Sequence, residues 1–179
     1  MDMLTGRIAL VVGGAGAVGA VVCRHLVQRG CQVLIADGCS RVAEGTRLAD
    51  ALGPCARFEL LHPTDEREWT ATISDGLGRF GGLDAVVLVE PDASAVALAV
   101  RTAGPHLPRP GGALVGIARP EAAAALASAG IPVVALPDAD TPDAELSEAD
   151  KTSLASQAVR HVSQALARSS VHVGAIGDF

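Results

Sequence analysis

The stretch Ile8-Ala-Leu-Val-Val-Gly-Gly-Ala-Gly-Ala-Val-Gly19 decides how this chain is read. An apolar, strand-like run passes directly into a glycine-rich turn, and a helix candidate, Ala17–Arg29, follows at once. Glycines at such a junction let the backbone turn tightly and approach a pyrophosphate, while the helix N-terminus offers N–H donors and positive potential. Gly13, Ala15, Gly16, Val18 and Gly19 are therefore the candidate contacts to a dinucleotide. A glycine-rich turn alone is a weak signal, but here the strand, the helix and a further acidic residue all stand in place. Asp37 ends the next apolar run, where a carboxylate can accept both hydroxyls of an adenosine ribose and repel a 2′-phosphate. Gly38, Cys39 and Ser40 follow it with no basic residue among them, so NAD is favoured over NADP.

Outward from this junction the same alternation continues. Apolar runs at Arg7–Val12, Gln32–Ala36, Ala56–Leu60, Ala85–Val89, Ala113–Ile117, Pro132–Leu136 and Val171–Ile176 read as seven buried strands. Helix candidates lie between them: Ala17–Arg29, Arg41–Leu52, Asp65–Phe80, Ala93–His106, Glu121–Ala129 and Ser147–Arg168. Continuous apolar strands separated by helices predict an α/β fold with a mostly parallel sheet covered on both faces. The 179 residues suit one core, so residues 1–179 are expected to form a single domain.

Composition narrows the classes of function. The net charge is −6 with no basic cluster, which leaves nucleic acid without an electrostatic footprint. The apolar stretch from Ile8 to Val22 is interrupted by glycines and preceded by Asp2, unlike a signal peptide or membrane span, so a cytoplasmic protein is expected. Cys23, Cys31, Cys39 and Cys55 have no CxxC spacing, and no His lies at a metal-ligand spacing; reduced thiols and no metal are the expectation. The acidic stretch Asp138–Asp150 reads as a solvated loop leading into a helix N-terminus.

Taken together, these segments resemble the short-chain dehydrogenase/reductase family. Val12-Gly-Gly-Ala-Gly-Ala-Val-Gly19 is similar to its TGxxxGxG loop, with Val12 for Thr and Ala17 for the middle Gly. Arg79–Val87, Pro105–Val115 and Ala129–Pro137 resemble the approaches to its fourth, fifth and sixth strands. The resemblance implies a Rossmann-type, doubly wound sheet in the order 3-2-1-4-5-6-7. It also places His62 and Pro63 beside the adenine, where the family has an Asp and an apolar residue.

The departures bear on function. Leu88-Val-Glu-Pro91 stands where the family has Asn-Asn-Ala-Gly, and Asp92 stands in place of its helix Asn. Arg119 lies at or beside the position of the catalytic Ser. The helix that carries Tyr-x-x-x-Lys is shortened to about Glu121–Ala129 and holds neither residue. The chain contains no Tyr, and its only Lys is Lys151. The family's hydride transfer needs a phenol to exchange the proton and a Lys beside it. The standard mechanism is therefore unavailable within this chain, which points to a non-catalytic or partner-dependent NAD-binding subunit.

Two alternatives stand beside that reading: a rebuilt non-redox enzyme (a dehydratase, isomerase or cyclase) and an atypical NAD-dependent oxidoreductase. Both draw on polar residues at the strand ends, where Glu90, Asp92 and Arg119 are the candidates, with Asp138, Asp140 and Thr141 after the sixth run. The segment Ala93–Val100 is nearly apolar all round. An association with a second copy, or with a full-length family member, is expected through the 93–106 helix.

Overall fold

The computed structural model describes residues 4–108, 111–136 and 145–170. Six strands, β1 (Ile8–Val12), β2 (Gln32–Asp37), β3 (Ala56–Leu60), β4 (Ala85–Val89), β5 (Ala113–Ala118) and β6 (Val133–Ala135), pair side by side in the order β3-β2-β1-β4-β5-β6. Every pairing is parallel. Parallel neighbours need crossovers, and six helices supply them or follow them: α1 (Ala17–Gln28), α2 (Val42–Leu52), α3 (Glu66–Phe80), α4 (Ala93–Thr102), α5 (Pro120–Ser128) and α6 (Glu148–Ser170). This is the doubly wound arrangement that the alternating pattern predicts. The seventh run, Val171–Ile176, lies outside the described residues.

The period-two geometry of a strand divides the core. Ala9, Val11, Val33, Ile35, Ala85, Val87, Val115 and Ile117 point to one face and pack with α1, α2 and α6. Leu10, Val12, Leu34, Ala36, Val86 and Leu88 point to the other, under α3, α4 and α5. Central strands covered on both faces must be apolar at every position, and β1 is buried throughout. β3 corrects the expectation of seven equally buried strands. It is the edge of the sheet, only half-buried, and Leu60 is exposed there.

Helix limits follow local chemistry. Asp65 caps α3 by accepting from the backbone N–H of Arg67 and Glu68, and Gly81 ends that helix in the left-handed region at φ 82°. The predicted Ala93–His106 helix stops at Thr102 and is followed by a short turn, Gly104–His106, whose Pro105 cannot extend it. α4 buries Ala95, Val96, Leu98 and Ala99 and leaves Val100 exposed. Arg101 of α4 forms a two-pronged ion pair with Glu66 of α3, through Nε (3.1 Å) and a terminal nitrogen (2.8 Å). Lys151, expected ahead of the last helix, sits in the first turn of α6 and donates to Glu148 at 3.0 Å. No helix among the described residues is long and apolar enough to cross a membrane.

Candidate functional site

At the carboxyl end of β1 the chain turns at Gly13 and Gly14, whose N–H groups both donate to the Ala36 carbonyl of β2. Gly13 has φ +78°, a conformation that L side chains seldom adopt. Gly19 is required for a different reason. A Cβ there would lie 2.1 Å from the Gly13 carbonyl oxygen and 2.7 Å from the Gly14 Cα, so only a bare α-carbon lets α1 approach its own loop. These contacts aim the first turn of α1 at the mouth of the sheet, as an anion-binding helix terminus requires. Gly13, Ala15, Gly16 and Gly19 thus lie together at the predicted place. Val18 is fully buried, so its side chain belongs to the core and only its backbone faces the loop.

Asp37 ends β2 directly beside this loop. One carboxylate oxygen accepts from Ala15 N–H (3.0 Å) and the other from Gly38 N–H (2.9 Å). The two bonds orient the carboxylate, and each oxygen keeps a further lone pair for a hydroxyl donor. Bare glycines at the turn, a helix N-terminus and an oriented, half-buried carboxylate match the donor and acceptor set of a dinucleotide's pyrophosphate and ribose.

His62 and Pro63, after β3, form the next corner of the same rim, and α3 holds it. Glu68 accepts from both the His62 backbone N–H and the His62 Nδ1, the latter at 2.8 Å. The Trp69 indole N–H donates to the Pro63 carbonyl at 2.9 Å, and the Trp69 side chain is fully buried. A hydrogen bond from Cys39, together with the adjacent Glu68 carboxylate, raises the His62 pKa above its ordinary value. Glu68, Trp69 and Cys39 were not singled out as site-builders by sequence. A run of alternating polar residues on a helix does not disclose that one of them turns back to bind the preceding corner.

A second cluster lies at the ends of β4 and β5. Glu90, Asp92 and Arg119 line one cleft of about 330 Å³ with Pro91, Ala93, Glu121 and Ala122. Glu90 and Arg119 form an ion pair at 2.7 Å across the two strand ends. Glu90 has φ 49°, left-handed for a residue with a side chain, and its N–H donates to the Ile117 carbonyl at 2.8 Å. Asp92 is the N-cap of α4, accepting from Ala95 N–H at 2.7 Å. The three candidates therefore come together as expected, but each already has a partner within the fold. Asp138, Asp140 and Thr141 lie outside the described residues. Among the described residues no three His, Cys, Asp or Glu side chains assemble in a manner that could hold a metal ion.

Comparison with known proteins places this geometry. No protein-family model matches the chain. A 3-alpha-(or 20-beta)-hydroxysteroid dehydrogenase from Mycobacterium tuberculosis is 37% identical over 84 residues, which is 47% of this chain and 32% of the relative. The 2,5-dichloro-2,5-cyclohexadiene-1,4-diol dehydrogenase LinX of Sphingobium indicum is 34% identical over 84 residues, 46% of this chain and 33% of the relative. The match thus spans about a third of the length of these curated relatives. Among solved structures, a blue fluorescent protein from a metagenomic library, in complex with NADPH, superimposes with a TM-score of 0.62 at 20% identity. That superposition covers 73% of this chain and 67% of the other. A short-chain dehydrogenase/reductase from Serratia marcescens superimposes with a TM-score of 0.56, also at 20% identity, over 64% of this chain and 56% of its own. With the sheet order and the glycine loop already in hand, the dehydrogenase relatives and the shared fold make this chain a relative of the short-chain dehydrogenases/reductases.

Proposed function

We propose that the chain binds a nicotinamide dinucleotide, NAD in preference to NADP, as a subunit that does not perform the family's hydride transfer by itself. The observation that carries this reading is the contrast between the two strand-end clusters. Around the β1–α1 loop the fit to a dinucleotide is intact: close-approach glycines, the α1 N-terminus, and Asp37 held by Ala15 and Gly38. Around β4 and β5 the polar groups serve the fold, with Glu90 and Arg119 neutralising one another and Asp92 capping a helix.

When bound, the dinucleotide would supply a nicotinamide able to exchange a hydride. Gly13, Ala15, Gly16 and Gly19 would hold its pyrophosphate, Asp37 its adenosine ribose, and His62 and Pro63 would border its adenine. What the chain does not offer at the mouth is a neutral proton donor. An Arg can polarise an oxygen but does not give up a proton, and an ionised carboxylate has none to give. The helix after β5 is the nine-residue α5, PEAAAALAS, which carries no phenol or lysine.

The engaged carboxylates also weigh against a rebuilt acid–base catalyst, since Glu90 would first have to leave Arg119 to act as a base. The charge and the family setting support a cytoplasmic protein, again as a proposal. The test is a panel of alcohols and ketones with NAD(H) and the purified protein, beside calorimetric titration of NAD. Binding without turnover is the expected result. Turnover that survives purification and disappears in Arg119→Ala would overturn the non-catalytic reading. Failure to bind NAD or NADP would overturn the cofactor reading.

A further inference from the structure

The parallel register of β2 and β3 pairs Asp37 with Leu60, and the same offset carried two residues onward sets Cys39 beside His62. The backbones stay close past the strand ends. Leu61 N–H donates to the Asp37 carbonyl at 3.0 Å, and a Cβ on Gly38 would touch the His62 ring at 3.8 Å. The Cys39 thiol is exposed and its side chain hydrogen-bonds His62. Glu68 holds the opposite side of that imidazole, at Nδ1. A thiol, an imidazole within its reach and a carboxylate orienting the imidazole constitute the arrangement of an activated nucleophile. Neither the dinucleotide reading nor the β4–β5 cluster uses it.

We propose that Cys39, His62 and Glu68 form a reactive-thiol site that exchanges with low-molecular-weight disulfides. His62 takes the thiol proton as the Cys39 sulfur attacks one sulfur of the disulfide R–S–S–R. A Cys39–S–S–R bond forms, the R–S–S–R bond breaks, and the departing sulfur takes the proton from His62 and leaves as RSH. Cys39 is thereby oxidised to a mixed disulfide and the reagent is reduced to one thiol. Glu68 is a positioning residue that keeps the ring directed at the sulfur. The proposal rests on these side chains alone and stands whether or not a dinucleotide binds next to them.

The other thiols supply internal controls. Cys55 is exposed on the short turn Gly53–Cys55 after α2. Cys23 and Cys31 are buried, and burial pushes the Cys23 thiol far up in pKa. The experiment is timed labelling of the full chain with dithiodipyridine, an uncharged disulfide, with peptide mapping to follow each cysteine. An ordinary thiol is only a few per cent ionised near neutrality, so a base acting during attack gives Cys39 an advantage over Cys55 of about tenfold. His62→Asn should bring Cys39 down to the rate of Cys55. The His62 backbone N–H still donates to Glu68 in that variant, which keeps the corner in place.

A pH series separates positioning from mere support. The charged and titratable groups about His62 are Cys39 after β2, Glu68 on α3, and Asp65, Glu66 and Arg67 around the same open depression. Glu68→Gln removes a negative charge from the pair, so the low-pH limb of the Cys39 rate should move to lower pH and its plateau should fall. The Cys55 limb should not move. Equal rates for Cys39 and Cys55 in the unmodified protein would overturn the proposal, and that comparison needs no variant. So would an unchanged Cys39 rate in His62→Asn with Cys23 and Cys31 still protected.

Discussion

Replacing Asp37 by Ala is the most direct perturbation of the nucleotide rim. Its carboxylate now accepts from Ala15 and Gly38 N–H groups and is half-buried, so the backbone donors left behind can turn to water with little cost to the fold. Bound NAD would lose two hydroxyl bonds to a charged acceptor. Each charge-assisted bond is worth about 1.5–3 kcal/mol, and competition from water leaves a net loss of about 2.8 kcal/mol for the pair. That corresponds to about a hundredfold weaker binding. NADP should respond in the opposite sense. A 2′-phosphate about 4 Å from the carboxylate is repelled by a few kcal/mol under partly screened conditions, and Asp37→Ala removes that repulsion. Isothermal titration of NAD and NADP against both proteins measures all four constants. The reasoning is refuted if the unmodified protein binds NADP as tightly as NAD. It is equally refuted if Asp37→Ala leaves the affinity for NAD unchanged.

Three further outcomes follow from particular contacts. Gly19→Ala should abolish dinucleotide binding while circular dichroism stays native, because its Cβ would fall 2.1 Å from the Gly13 oxygen and force the loop outward; unaltered affinity would show that the loop does not hold the ligand. The His62 ring, followed by NMR, should titrate above its ordinary value of 6.5, and Glu68→Gln should lower it. Since folding raises this pKa, the associated stability is fully present below 6.5 and is lost as pH rises through the folded value, so the denaturation midpoints of wild type and Glu68→Gln should converge at alkaline pH. Sedimentation at micromolar concentration should show at least a dimer, made through the side of α4 that leaves Val100 exposed; a monomer would remove α4 as an interface.

The body of the fold was legible because parallel central strands must be apolar on both faces. Ala56–Leu60 and Ala85–Val89 match their predicted limits for that reason. Burial was less legible: the Ala56–Leu60 run contains Arg57 and Glu59, and position in the sheet, not composition, made it the half-buried edge. Asp37 and the glycine loop could be found because their spacing along the chain is set by one strand–helix–strand unit. The partnership of Cys39 with His62 could not. It depends on the pairing register of β2 with β3, which is fixed in space and leaves no local mark. Likewise Asp92 was legible as a strand-end acid, but its role as a cap depends on where α4 begins.

The tie between Trp69 and Pro63 makes the adenine corner visible to light. The chain has one Trp and no Tyr, so its ultraviolet emission comes almost wholly from a single indole. That indole is shielded from solvent and anchored by its N–H to the carbonyl of the corner residue. A ligand that shifts the corner should therefore change the emission wavelength or yield without any added dye. Reduced nicotinamide absorbs in the region where tryptophan emits, so NADH should quench Trp69 by energy transfer as well. The protein carries its own spectroscopic gauge at the rim where occupancy is to be measured.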